Sequence, residues 1–203
     1  SLDLAEAIKY AAGLPNLSGT LPPQRAHVVN MSLSACAQNP TERAAVEAAR
    51  SVGIILVAAA GNNREGEPGC PPGALEFPAS YDGVVSVSAV DILQSPARYS
   101  SFGSRIDAAA PGGEMITETD VNNDGNPDGV LSTWREPSSG QNGYAFASGT
   151  SMAASHVAGI VGLMLAVNPA LTPLDLDLLL AGTHQRTVRR ITTDLGLPGR
   201  DND

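Results

Sequence analysis

Ile54-Ile55-Leu56-Val57-Ala58-Ala59-Ala60 is an unbroken apolar run of strand length, entered through Gly53 and left through Gly61-Asn62. A strand with one face in water alternates apolar and polar residues. A run that is apolar throughout is buried on both faces, as in a parallel sheet covered by helices. Upstream of Gly53, Ala44, Ala45, Ala48 and Ala49 recur at helical spacing and predict a helix with one small-residue face, capped by Thr41 and stopped by Gly53. Before that helix stands Val28-Val29-Asn30-Met31-Ser32-Leu33, a second strand-like run. Strand, helix and strand together read as a βαβ unit in a parallel sheet. Function in such sheets gathers outside the carboxyl ends of the strands. Segments 32–36 and 61–70 leave those ends, so Cys36 and Cys70 fall at the same edge after neighbouring strands. A disulfide between them fits that placement and an oxidising compartment; two free buried thiols are the alternative.

The rest of the chain extends the α/β pattern. A helix is predicted over 4–12, and further strands at Val84–Val90, 98–101 and 106–109, with 112–132 mostly loop. A long helix is expected from Thr150 to just before Asn168-Pro169. Thr172-Pro173 opens another, with proline at its first position. The 203 residues suffice for one domain with a sizeable core. Aromatics are only 4%, so that core must be aliphatic. A net charge of −9 argues against nucleic acid, whose phosphates call for clustered Lys and Arg. No apolar run of membrane-spanning length is free of breakers; the stretch 157–167 contains Gly159 and Gly162 and reads as a buried helix rather than a span. The chain opens on Ser1-Leu2-Asp3 at a helix and ends abruptly, which is expected of a piece of a longer protein.

The chemistry concentrates in Ser148-Gly149-Thr150-Ser151-Met152-Ala153-Ala154-Ser155-His156-Val157-Ala158-Gly159. A turn of small residues places Ser151 in the first turn of a buried helix, where the helix dipole favours developing negative charge and the Ser151 N–H can face an oxyanion. A plain helix-capping role is the commoner use of such residues.

The segment resembles the nucleophile motif of the subtilisin-like serine peptidases, the subtilases. Val29-Asn30-Met31-Ser32-Leu33 resembles their substrate-binding strand, and Val57-Ala58-Ala59-Ala60-Gly61-Asn62 the strand and turn that present their oxyanion asparagine. Phe77-Pro78-Ala79-Ser80-Tyr81, the segment 84–91 from Val84 to Asp91, Tyr99-Ser100-Ser101-Phe102-Gly103 and Ala109-Ala110-Pro111-Gly112 follow in family order, so the resemblance runs from the first helix to about Thr183. It implies a parallel β-sheet flanked by helices in a subtilisin-like three-layer sandwich, a single partial domain over 1–203, incomplete at the N-terminus and at the C-terminus. It implies Ser151 as nucleophile and Asn62 as oxyanion donor, with Ser32, Leu33, Ser34, Ala59, Ala60 and Gly61 binding an extended peptide through their main chain. It also implies a protein or peptide substrate, a secreted or extracellular setting and no organic cofactor. Two positions depart from the family: Ser34 stands where glycine is usual, and Ser155 where proline is usual.

In this family Asp and His precede Ser along the chain. No Asp-Thr-Gly-like or His-Gly-Thr-His-like segment is present. His156 lies five residues past Ser151, about 140° round its helix, and His27 precedes a strand at the edge away from the site. His184, beyond the last predicted helix, stays open as a candidate. The expectation is a piece carrying nucleophile and oxyanion hole, inactive without the missing N-terminal part of the same domain. The different-class alternative is a peptide-binding pseudo-peptidase that grips without cleaving; a structural domain used for assembly is a third. Apolar faces left open would favour a homodimer.

Asp120-Val121-Asn122-Asn123-Asp124-Gly125-Asn126-Pro127-Asp128-Gly129 carries oxygen side chains at alternate positions with glycine sixth, as in the first nine positions of an EF-hand-type loop. Leu131 occupies the twelfth position, where a bidentate Glu is expected. The pattern predicts a structural Ca²⁺ loop using Asp120, Asn122, Asp124 and Asp128; a solvated Asx-rich turn is the alternative.

Overall fold

The structure, a computed structural model, describes residues 1–66, 70–115 and 120–181. The elements are α1 (Leu2–Ala11), β1 (Val28–Met31), α2 (Pro40–Ser51), β2 (Ile55–Ala59), β3 (Val84–Val90), β4 (Ala108–Pro111), β5 (Val130–Arg135), β6 (Asn142–Ala147), α3 (Thr150–Val167) and α4 (Pro173–Leu180). Strands β1-β2-β3-β4 form one parallel sheet in that order, and β5-β6 form a separate antiparallel ribbon.

The unbroken apolar run explains the layering. Ile54, Leu56 and Ala58 point to one core with Ala5, Ile8, Ala45, Val46 and Ala49 of α1 and α2. Ile55, Val57 and Ala59 point to a second core with Ala153, Ala154, Val157 and Val161 of α3 and Leu176 of α4. The period of two along a strand divides the run between two helical layers, so each of its positions must be apolar. The parallel three-layer expectation is met.

Four local expectations are corrected. Asn39, not Thr41, caps α2: its side chain accepts from the Thr41 and Glu42 N–H groups, and Pro40 takes the first helical position, where no N–H is needed. The inward face of α2 is Ala45, Val46 and Ala49, while Ala44 is exposed. Residues 98–101 form a turn rather than a strand: Ser100 Oγ accepts from Ala89 N–H (2.9 Å) and Ser101 N–H donates to Gly61 O (2.9 Å). These buried serines brace the sheet from outside it. The fourth sheet strand starts two residues later than predicted, because Asp107 turns its carboxylate onto Ser86 N–H (2.8 Å) before pairing begins at Ala108.

By length and composition α3 could cross a bilayer. It lies instead against all four strands of the sheet, while Ile160, Leu163 and Val167 on its far side are exposed. Cys36 and Cys70 form the expected disulfide, with Cα atoms 5.4 Å apart and a sequence separation of 34. Loop-closure entropy gives such a bridge about 3–4 kcal/mol. A Cys36→Ser/Cys70→Ser variant is expected to melt about 10 °C lower by calorimetry; a midpoint unaffected by the substitutions would contradict that loop-entropy estimate.

Candidate functional site

Ser151 sits in the first turn of α3, whose N-cap is Gly149 and carries no side-chain cap. The turn is held from behind by Gly112, whose carbonyl accepts from Gly149 N–H (2.9 Å). A Cβ on Gly112 would lie 2.4 Å from Ala89 Cβ and 2.8 Å from Gly149 O, so only glycine lets the β4 loop approach this closely.

Asn62 leaves the carboxyl end of β2 and meets the same turn. Its Oδ1 accepts from both Thr150 N–H (2.9 Å) and Thr150 Oγ1–H (2.9 Å). Thr150 is fully buried, and its hydroxyl also accepts from Gly61 N–H (3.3 Å). Two donors on one oxygen fix the amide's orientation, because the Nδ2 side could not accept them. The Asn62 Nδ2 group therefore has no acceptor among the described residues. The Ser151 N–H, one of the unsatisfied donors at a helix start, likewise has no acceptor among the described residues. Two unpaired donors in the segment around the Ser151 hydroxyl are the kind of groups an oxyanion hole requires.

Ser151 Oγ donates to Ser32 O (3.3 Å), a carbonyl that cannot take up a proton as a base. Ser32 Oγ donates to Ser151 O (2.9 Å), and Ser155 Oγ also donates to Ser151 O (3.0 Å). Asn30 Nδ2 reaches Ser32 Oγ (2.9 Å) and Ser155 Oγ (3.2 Å). Ser155, where the family usually has proline, thus ties α3 to the end of β1. His156 Nδ1 contacts Met152 O (2.9 Å) on its own helix, and His27 stands at the opposite end of β1. Neither reaches Ser151, and His184 lies outside the described residues.

The segments expected to bind peptide differ in what they offer. Leu33 and Ser34 are exposed, and their peptide groups have no partner among the described residues. The N–H groups of Ala60 and Gly61 are spent on Val87 O (2.9 Å) and Thr150 Oγ1. Ala59 is a sheet residue of β2. The N–H groups of Ala60 and Gly61 are thus committed, whereas Leu33 and Ser34 keep main-chain groups without partners among the described residues and Ser32 O holds Ser151 Oγ.

The sequence reading passes over Glu76. Its N–H donates to Ala60 O (3.0 Å), and Phe77 exchanges main-chain bonds with Ala35 (2.8 and 2.9 Å), so Glu76 joins the two segments flanking Ser151. Its carboxylate packs on Gly61, where a Cβ would lie 2.4 Å from Oε1. Glu76 is 6% exposed and has no ion-pair partner among the described residues. The Cys36 and Cys70 sulfurs lie within 4.8 Å of it, but an oxidised pair offers no thiolate to a metal. Nothing local in the sequence marks Glu76; its place depends on the fold.

In the 120–129 loop, Asp120 and Asp128 line a cavity with Glu114, whereas Asn122 and Asp124 do not. Asp124 is held in turn bonds to Asn122 Nδ2 (2.9 Å) and Asn126 N–H (2.8 Å), which keep its carboxylate below the usual range, the Asn126 N–H first.

Comparison with known proteins identifies similar sequences and a similar fold. The model of the Subtilase family matches residues 1–202. A thermostable alkaline protease of Halalkalibacterium halodurans is 37% identical over 72% of this chain and 33% of its own length. An extracellular protease of Xanthomonas campestris pv. campestris is 35% identical over 89% of this chain and 28% of its own length. A solved protease structure from Pseudoalteromonas arctica superposes with a TM-score of 0.75 at 35% identity, over 87% of this chain and 49% of that one. The chain thus spans about a third of these curated relatives and about half of the solved one.

Proposed function

The chain belongs to the subtilase family, and from that membership we propose that it is the nucleophile-bearing part of a secreted serine endopeptidase. The observation that carries the proposal is the pair of donors without partners among the described residues, Asn62 Nδ2 and Ser151 N–H, with Asn62 bonded through its Oδ1 to Thr150, the residue before Ser151. Ser151 Oγ attacks the scissile carbonyl, the carbonyl oxygen takes the negative charge against those donors, and the amine leaves protonated. Water then cleaves the acyl-enzyme ester. We place the base that removes the Ser151 proton in a part of the domain outside this chain: among the described residues neither His27 nor His156 reaches Ser151, and His184 follows Ser151 where the family order puts His before it. Peptide lies along Ser32, Leu33 and Ser34 as an added strand, taking up the unpartnered main-chain groups of Leu33 and Ser34. The relatives named extracellular support export, as does the disulfide.

The test is fluorophosphonate labelling of Ser151, in the chain alone and with the upstream part of its domain supplied. Label only in the assembled sample supports the proposal. No label in an assembled, folded sample overturns it in favour of a module that grips peptide without cleaving.

Glu76 sets the expected preference. A buried carboxylate with no cationic partner, lying between the two cleft segments, is completed by a basic substrate side chain. In the assembled domain, Glu76→Gln is expected to lower kcat/KM for peptides with Lys or Arg before the scissile bond, relative to Leu, by about 30-fold or more. An unchanged ratio would remove Glu76 from specificity.

A further inference from the structure

Two arginines line one cavity, and neither is paired with an acid. The segments 61–64 and 98–102 are bonded along their length: Ser101 N–H donates to Gly61 O (2.9 Å), Asn63 N–H to Ser101 Oγ (3.3 Å) and Arg64 N–H to Tyr99 O (3.2 Å). Arg64 and Arg98 meet at the end of that seam farthest from Gly61, where they line a cavity of about 550 Å³ with Glu65 and Pro96. The Arg64 guanidinium carbon lies 5.2 Å from the centre of the Phe102 ring, a stacked contact that holds the group in place. Arg98 is anchored by its main chain, whose N–H donates to Glu114 Oε2 (2.6 Å), and its side chain is exposed. Among the described residues neither guanidinium has an ion-pair partner, and Glu65, in the same cavity, pairs with neither.

That placement stands out in a chain of net charge −9. Arg43, Arg50 and Arg105 each have a carboxylate, from Glu47, Asp177 and Asp82. Two guanidinium groups against one unpaired carboxylate leave this cavity net positive, and an anion set between the two removes their mutual repulsion. A guanidinium stacked on a ring keeps its N–H edge for a ligand, and that planar fork fits a carboxylate through two parallel bonds.

The cavity is tied to the nucleophile turn. Arg64 is two residues past Asn62, and Tyr99 OH donates to Gly112 O (2.9 Å), which also accepts the Gly149 N–H (2.9 Å). The sheet order gives the direction. Residues 32–34 follow β1, 62–64 follow β2 and Arg98 follows β3, with β1, β2 and β3 adjacent in that order. A peptide whose acyl part lies along 32–34 crosses Ser151 and Asn62 and carries its leaving part toward Arg64 and Arg98. We propose that Arg64 and Arg98 bind an acidic side chain, Asp or Glu, within the three residues after the scissile bond. The inference rests on the peptidase reading and narrows its substrate class to peptides with an acid on the leaving side.

The experiment measures kcat/KM of the assembled domain on peptides that differ only in Glu or Gln at the first, second or third residue after the scissile bond. Glu is expected to be favoured over Gln by about fivefold at one of these positions at low ionic strength, and the preference should shrink toward one in 1 M NaCl. Arg64→Gln/Arg98→Gln should bring the ratio to about one. Arg98→Glu should bring it below one, and because that side chain is exposed, this variant carries the test if losing the Phe102 contact unfolds the first. Melting midpoints identify the folded variants. A wild-type ratio near one at all three positions overturns the inference and leaves the peptidase reading standing, as does a preference for Glu that survives in the folded variants. Failure to cleave any of the peptides overturns the peptidase reading and the inference with it.

Discussion

Ser151→Ala in the assembled domain is expected to lower kcat by about 10⁶-fold, the loss measured when a subtilisin is stripped of its nucleophile, and to end fluorophosphonate labelling. The physical reason lies in the division of labour at the start of α3. In the proposed mechanism Ser151 contributes two things, an Oγ that forms the acyl bond and an N–H that faces the developing oxyanion. Alanine removes the first and keeps the second, so the oxyanion hole and cleft survive, and a residual rate of about 10³–10⁴ over water is expected to remain. His156→Ala serves as the control. Its ring contacts Met152 O on its own helix, so labelling should proceed at the wild-type rate. Persistent label on the Ser151→Ala protein would place the nucleophile elsewhere and end the proposed mechanism.

The sheet is legible in the sequence because burial on both faces leaves a mark that survives any detail of packing: Ile54 to Ala60 can be apolar at every position only if helices cover both sides. The caps at Gly53 and Thr172 are legible for a similar reason, since φ of 88° at Gly53 and the reciprocal Thr172–Asp175 bonds are local chemistry. The hairpin β5-β6 is not legible. Its strands are mostly exposed, so no alternation of apolar and polar residues marks them, although Val130, Thr133 and Trp134 are strand formers and Pro137 to Gly140 is turn chemistry. The inward face of α2 is misplaced by the pattern because four alanines look alike in a sequence, and only Val46 distinguishes the buried stripe. In the site, Ser151 and Asn62 announce themselves through their motifs. The direction of the Asn62 amide, the tie from Ser155 to β1 and the position of Glu76 each depend on contacts between segments distant in the chain. A one-dimensional pattern does not record them.

Asn62→Ala is expected to lower kcat by about 10²–10³-fold with little change in KM, the magnitude measured when a subtilisin loses its oxyanion asparagine. The donor acts only when charge reaches the carbonyl oxygen, so its loss falls on the transition state. This structure adds a finer expectation about how the donor is held. Thr150 gives both its N–H and its hydroxyl to Asn62 Oδ1, and its Oγ1 takes the Gly61 N–H in return. Thr150→Val keeps the shape and the main-chain bond but removes the hydroxyl. The amide is then fixed by one bond instead of two, and the buried Gly61 N–H is left unpaired. That should cost about 1–3 kcal/mol in stability, visible as a lower melting midpoint, and should lower kcat by less than Asn62→Ala does. In the double variant the two kcat losses should not add, because both act through the same donor. Full additivity would mean that Thr150 supports the fold alone, and that Asn62 is aimed by something other than this bond.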